Sequence, residues 1–209
     1  MSIPMYFAGN WKDSVNTGLL TAQMGYGFRP DGGLRLPQQG RSASLCVIDD
    51  AVLPQVLPEL GQLIEAAKGG CCFDFERRPS PAHRRLLEAM VPQLRGLILL
   101  PEVFHMPGVL PLVRSTGLCN DWHGFVRSAG QRHPKGWAME LVPCRYRHRT
   151  GGLRDRAAYL TPGGCWCRVR EGVLEYYDTK ESIDAKLETA ARHGCRAAIG
   201  LYEEFEGIL

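Results

Sequence analysis

Short apolar runs alternate with segments of helical periodicity along most of the chain. This pattern predicts βα units that build a mostly parallel sheet. The apolar runs predict strands at residues 5–8, 44–48, 71–76, 96–102, 109–113, 137–142 and 196–202. The periodic segments predict helices at residues 54–67, 81–94 and 182–193. Residues 25–40, rich in Gly, Pro and Gln, are predicted to form a loop.

Two local signals refine the second half of the chain. Residues 164–170 and 173–177 flank the dipeptide Glu171-Gly172, which predicts a β-hairpin with a tight turn. Ser182 is predicted to cap the last long helix and Gly194 to end it, and Asp178 is interpreted as a second helix-start group. Seven or eight strands with at least four helices predict one domain over residues 1–209. The expected fold class is α/β, an abridged (β/α)₈ TIM-type barrel, with a doubly wound open α/β sheet as the alternative.

Composition and charge limit the kinds of partner that the protein is expected to bind. The formal charge of +3 arises from 25 basic and 22 acidic residues spread along 209 positions, so we expect no nucleic-acid partner and no membrane partner. The basic cluster at residues 145–149 is predicted to be a solvated loop rather than a phosphate site. No apolar run approaches the length of a membrane span and no signal-peptide pattern opens the chain, so a cytoplasmic location is expected.

Eight cysteines stand in this chain, and in a cytoplasmic protein we expect them to be unpaired thiols. Cys71-Cys72 and Cys165-Trp166-Cys167 lack the C-x₂₋₄-C spacing that lets two thiolates converge on zinc. No two of the six histidines are four residues apart, which argues against a helical metal site. We therefore expect neither a bound metal nor a cofactor.

The strand predicted at residues 71–76 carries a pair of acids. Because side chains alternate along a strand, Cys72, Asp74 and Glu76 share one face and Phe73 and Phe75 the other. If the phenylalanines pack on a helix layer, the acids point inward at the carboxyl end of the strand. Repulsion between two adjacent carboxylates keeps one of them protonated near neutral pH, as a general acid requires.

Several alternatives stay open for these acids. The pair is equally compatible with a solvated strand end or with salt bridges to Arg77 and Arg78. Together with Glu102, which follows the next strand, the pair also suits Mg²⁺, whose preferred ligands are oxygens. Glu140 is a further candidate, although Pro143 leaves the register of its strand undecided.

Motifs around these acids resemble the family 18 glycoside hydrolases, which comprise chitinases, endo-N-acetylglucosaminidases and spore-cortex relatives. The stretch Gly-Gly-Cys-Cys-Phe-Asp-Phe-Glu at residues 69–76 resembles the fourth-strand motif D-x-x-D-x-D-x-E with its last two acids in place. Residues 177–186 look like the family helix motif Y-D-x-x-x-S-x-x-x-K, and residues 197–202 like its closing strand. Residues 139–146 are similar to the penultimate strand of the family's barrel, and residues 6–11 are similar to its first strand. Cys72 replaces a motif acid, and Tyr202 stands where the family usually has a tryptophan.

The resemblance implies a substrate and a mechanism. Glu76 would be the general acid and base and Asp74 would orient the substrate's N-acetyl group, with Tyr146 as a third catalytic residue. The implied ligand is an N-acetylhexosamine-containing glycan or a related small molecule. The resemblance and the strand-end positions together suggest as substrate-binding residues Tyr6, Trp11, Glu102, Glu140 and Tyr202. The alternative, favoured by Cys72, is a catalytically inactive barrel that binds carbohydrate or another partner. The oligomeric state is left open.

Overall fold

The computed structural model describes residues 3–11, 18–28, 34–35, 44–49, 70–74 and 81–209. The helix predicted at residues 54–67 lies outside these ranges. The chain divides into two compact units. The first unit is Tyr6–Leu112, and the second combines Met1–Met5 with Val113–Leu209. The expectation of one domain over the whole chain stays a prediction.

Parallel strands dominate the first unit. They comprise β1 (Met5–Gly9), β2 (Leu20–Phe28), β4 (Leu45–Asp49), β5 (Gly70–Asp74), β6 (Leu97–Pro101) and β7 (Leu110–Arg114). β1 pairs with β2, β2 with β4, and each later strand in this group with the one before it, always in parallel. A short strand, β3 (Leu34–Arg35), runs antiparallel to β2. The strands predicted from apolar runs in this unit are thus confirmed to within a few residues.

β2 corrects the sequence prediction, which assigned residues 25–40 to a loop. The strand continues through residues 25–28, and its register against β4 shifts between Gln23 and Tyr26. Gly25 has φ +92°, a conformation that glycine adopts without strain and that suits such an irregularity. The glycines therefore shape the strand here instead of ending it.

Helix α1 (Pro81–Met90) covers one face of these strands and continues into a 3₁₀ turn at Val91–Gln93. Its Leu87 and Met90 pack with Phe73 and Cys71 of β5, and all four side chains are fully buried. Cys72 is also buried but lies outside this cluster. The predicted alternation is confirmed for residues 71–73, whereas Phe75 and Glu76 lie outside the described residues.

The second unit contains two parallel strands, β8 (Trp137–Glu140) and β13 (Cys195–Leu201). Its helices are α2 (Trp122–Arg132), α3 (Lys180–Arg192) and the short α4 (Tyr202–Phe205). None of the helices in the described residues is long and apolar enough to cross a membrane.

Two of these helices differ from the predictions. α2 was not predicted, because Gly124 and Gly130 lower its helix propensity. A Cβ atom at Gly130 would lie 2.4 Å from the carbonyl oxygen of His193, so close packing requires glycine there. α3 begins two residues earlier than predicted. Thr179 is its N-cap, and Ser182 completes a capping box with Thr179.

An antiparallel sheet completes the second unit. Its strands are β9 (Arg145–Arg149), β10 (Arg156–Leu160), β11 (Trp166–Arg170) and β12 (Val173–Tyr177), in the order β10-β11-β12-β9. The predicted hairpin is confirmed, since Glu171 (φ +52°) and Gly172 (φ +71°) form the tight turn between β11 and β12. The prediction of a loop at residues 145–149 is wrong. These residues are exposed, as expected of a solvated segment, but they form strand β9.

None of the eight cysteines is in a disulfide, and all but the half-buried Cys119 are buried. Burial raises the pKa of Cys46 and of Cys195 to about 12. We expect a thiol reagent such as dithiobisnitrobenzoate to modify Cys119 first in the native protein, and all eight thiols after denaturation without reductant. Fewer than eight thiols in the denatured protein would contradict this expectation.

Candidate functional site

Acidic residues follow three neighbouring strands of the first unit. Asp49 ends β4 and Asp74 ends β5, and the two are direct register partners. Adjacent strands lie about 4.8 Å apart, so these two backbone positions are close neighbours. Glu102 follows β6, and its N–H donates to the carbonyl oxygen of Leu112 at 3.2 Å. The three positions lie at the carboxyl edge of the strands, where barrel enzymes hold their catalytic groups. Asp49 is not among the residues predicted for the site from the sequence, although an acid at the end of an apolar run is a usable signal.

An apolar layer lies below this acidic edge. Val47, Cys72 and Leu99 occupy matching positions on β4, β5 and β6, and all three are buried. Residue 49 lies two positions after Val47 on β4, and residue 74 lies two positions after Cys72 on β5. Residues two apart in a strand belong to the same face. The side chain of Asp74 and all of Glu76, Arg77 and Arg78 lie outside the described residues. The predicted contact between the two acids and the alternative ion pairs therefore stay predictions.

Tyr6 and Trp11 lie on and just after β1. Tyr6 is half-buried, and desolvation raises the pKa of its phenol. The indole N–H of Trp11 donates to the carbonyl oxygens of Phe7 at 3.1 Å and of Ala22 at 3.2 Å. Trp11, a half-buried residue, thus ties the end of β1 to β2 through its indole nitrogen.

The candidates on the second unit lie at the ends of its parallel strands. Glu140 ends β8, and its Oε1 accepts from the Nε atom of Arg114 at 3.0 Å. The carbonyl oxygen of Glu140 accepts from the N–H of Ser115 at 2.8 Å, which ties this strand end to the residue after β7. The strand predicted to reach Tyr202 ends at Leu201, and Tyr202 starts α4 as a half-buried residue.

The structure places Tyr146, the third predicted catalytic residue, on β9 of the antiparallel sheet. Its ring stacks near His148, with ring centres 6.3 Å apart, and lies tilted against Tyr176 at 6.2 Å. The residue is 43% exposed, so part of its surface is in contact with solvent.

A buried polar network in the second unit links Asp178, Ser182 and Lys186. The Nζ atom of Lys186 donates to both carboxylate oxygens of Asp178, at 2.9 and 2.7 Å, and Oγ of Ser182 donates to Oδ1 at 2.7 Å. The N–H of Cys144 donates to Oδ2 at 2.7 Å. The interpretation of Asp178 and Ser182 as simple helix-start groups was therefore incomplete. Asp178 and Lys186, which belong to the motif that resembles family 18, form a buried ion pair. Through the hydrogen bond from Cys144, this pair holds α3 against the segment before β9.

Two thiols lie beside this network and were not singled out from the sequence. The Cys144 thiol donates a hydrogen bond that lowers the pKa of Cys165 to about 6, assisted by the hydroxyl of Thr161 and the charge of Lys186. The same contact raises the pKa of Cys144. Both thiols are buried, which keeps them out of reach of a polymeric substrate.

A surface pocket of about 310 Å³ lies between α2, α3 and the turn after β10. Its walls are mostly apolar, and the residues that line it include Trp122, Trp166, Leu160, Glu181 and Lys186. Trp122 and Trp166 both line this pocket, Trp122 as a buried residue and Trp166 as a half-buried one. The indole N–H groups of Trp122 and of the buried Trp137 donate to the carbonyl oxygens of Lys186 and His193.

No group of three or more His, Cys, Asp or Glu side chains in the described residues is arranged to hold a metal ion. The side chain of Asp74 and the whole of Glu76 are not among those residues. The magnesium alternative therefore stays a prediction.

The fold is that of a TIM-like α/β barrel, rather than the doubly wound open sheet given as the alternative. Among solved structures, the chain is similar to the spore cortex-lytic enzyme SleL of Bacillus cereus, with a TM-score of 0.58. The match covers 95% of this chain and 70% of that one at 13% sequence identity, a level at which the likeness concerns the fold alone. No protein-family model matches the sequence, and no curated protein matches it.

Proposed function

We propose that this chain is a glycoside hydrolase-like protein that acts on an N-acetylhexosamine-containing glycan at the carboxyl edge of its parallel strands. The observation that carries the proposal is the register of Asp49 with Asp74 at the ends of neighbouring strands, with Glu102 after the next one. The shared fold with a cortex-lytic enzyme supports a glycan as the substrate class. We propose that the TIM-like barrel of this chain is an abridged (β/α)₈ barrel.

Glu76 and Asp74 carry the chemistry in this proposal. Glu76 protonates the glycosidic oxygen while the carbonyl oxygen of the substrate's N-acetyl group attacks the anomeric carbon, so the glycosidic bond breaks as the new bond forms. Asp74 orients that N-acetyl group. Water then opens the cyclic intermediate, with Glu76 accepting its proton. This substrate-assisted route is an exception to the usual scheme of two catalytic carboxylates.

A second candidate function, carbohydrate binding without turnover, is favoured by Cys72. This residue is only 3% exposed and takes the motif position at which the family has an acid that helps hold the aspartate's proton. Its register neighbours Val47 and Leu99 are apolar, so neither of these two residues supplies a substitute carboxylate beside Cys72.

The proposal is tested with N-acetylglucosamine hexasaccharide, with cellohexaose as a control of equal length that lacks the N-acetyl groups. We expect saturable binding of the first sugar by calorimetry, and new reducing ends that mass spectrometry detects. Binding without cleavage selects the second candidate function. If neither sugar binds and neither is cleaved, the proposal is wrong.

A further inference from the structure

Arginines flank a carboxylate in the middle of the antiparallel sheet. Glu175 of β12 is the register partner of Arg147 on β9 and of Arg168 on β11, so the three side chains share one face. Oε1 of Glu175 accepts from Nε of Arg147 at 2.7 Å, and Oε2 accepts from Nε of Arg168. Arg168 first, and then Arg147, lowers the pKa of Glu175. The spacing of this sheet therefore allows one carboxylate to bridge two arginines that lie two strands apart.

The three register partners across β9, β12 and β11 make up one row of the sheet. The next row on the same face again has an arginine on each outer strand, but the residue between them is not a carboxylate. Val173 is the register partner of Arg149 on β9 and of Arg170 on β11. Each of these residues lies two positions along its strand from the first row, which places it on the same face about 6.5–7 Å away. The Arg170 side chain is 70% exposed, and its contact at 3.6 Å is with Glu171, which is 80% exposed. Ion pairs between such exposed groups are weak.

We propose that Arg149 and Arg170 form an anion site over Val173 that binds a carboxylate of an acidic glycan. The ligand's carboxylate takes the position that the carboxylate of Glu175 takes in the neighbouring row. Guanidinium groups suit this role because each presents several N–H donors in one plane and pairs readily with carboxylates. The apolar surface of Val173 packs against the C–H groups of the sugar ring that carries the carboxylate.

A glycan fits this face better than a nucleic acid does. Single-stranded nucleic acids bind through aromatic rings that are open for stacking on bases. The ring of Tyr177, on the same face, is covered by the guanidinium of Arg168 at 5.0 Å. Its register partner Trp166 lines the pocket between α2 and α3 and lies four residues along β11 from Arg170, about 13 Å from the arginine pair. The choice of a glycan as carrier of the carboxylate rests on the proposed function, whereas the anion site itself rests on the register of the three strands.

The test uses a fluorescently labelled hyaluronan octasaccharide, which alternates glucuronate with N-acetylglucosamine, and follows its binding by anisotropy at low ionic strength. Val173→Glu supplies an internal carboxylate between the two arginines and is expected to weaken binding about tenfold or more. Val173→Gln, the uncharged counterpart of Val173→Glu, is expected to weaken binding much less than Val173→Glu, because it removes only the apolar contact with the sugar ring. Arg149→Gln and Arg170→Gln are each expected to weaken binding about tenfold, and Arg127→Gln on α2 is the control for loss of an exposed arginine elsewhere.

The outcomes separate this site from the proposed function. Binding of neutral N-acetylglucosamine hexasaccharide is expected to be equal in Val173→Glu and in the unmodified protein, because that sugar is assigned to the strand ends. The anion site is refuted if hyaluronan does not bind, or if it binds equally well to Arg149→Gln and Arg170→Gln. It is also refuted if single-stranded DNA competes through the same two arginines more strongly than hyaluronan. Circular dichroism of each variant confirms that the sheet is folded.

Discussion

Lys186→Met is expected to lower the free energy of unfolding by about 3–5 kcal/mol, because it leaves the Asp178 carboxylate buried without its cation. The two side chains are 3% and 0% exposed, so water cannot replace the lost ammonium. Cys144 and Ser182 would still donate to the carboxylate, but neither carries a positive charge. Urea denaturation followed by circular dichroism measures the change.

Two comparisons make this prediction specific to the buried pair. Lys180→Met removes an exposed lysine that pairs with Asp184 on the same helix, and it is expected to cost no more than about 0.5 kcal/mol. The double variant Asp178→Asn with Lys186→Met is expected to lose less than the sum of its single variants, because each single change strands a partner that the double change removes. A loss for Lys186→Met no larger than that for Lys180→Met would contradict the account of the buried pair.

Glu76→Gln is expected to lower kcat for hydrolysis of an N-acetylglucosamine oligosaccharide by about 10²–10⁴-fold, the usual contribution of a general acid or base. The amide keeps the size of the side chain but cannot donate the proton that the leaving oxygen needs. The stability of the protein is expected to change by less than about 0.5 kcal/mol, as for a residue outside the core. Initial rates of reducing-end release give kcat and KM.

Other Glu→Gln changes provide matched controls. Glu88→Gln on the exposed face of α1 is expected to leave both kcat and KM unchanged. Glu102→Gln is expected to raise KM more than it lowers kcat, because Glu102 is proposed to bind substrate rather than transfer protons. Hydrolysis by Glu76→Gln at the rate of the unmodified protein would remove Glu76 from the mechanism.

Local sequence signals were enough for many of the elements. The apolar run at β6 and the Glu171-Gly172 turn depend on residues within a few positions of one another, so they are legible without the fold. The same signals did not predict the structure where a glycine is required by a contact with a residue far away in the sequence. Gly130 interrupts the helical pattern of α2, yet it is required because the carbonyl oxygen of His193 approaches its Cα.

For the candidate sites too, some features could be predicted from the sequence and others were decided only by the tertiary structure. Asp74 at the end of an apolar run, and the spacing of Asp178, Ser182 and Lys186, were readable from the sequence, because strand alternation and helix periodicity are local. The pairing of Asp49 with Asp74 was decided only by the tertiary structure. So was the alignment of Arg149 with Arg170 across Val173. The physical reason is that strand register depends on which distant backbone segments hydrogen-bond to one another, and shifting it by one residue would turn each side chain to the other face.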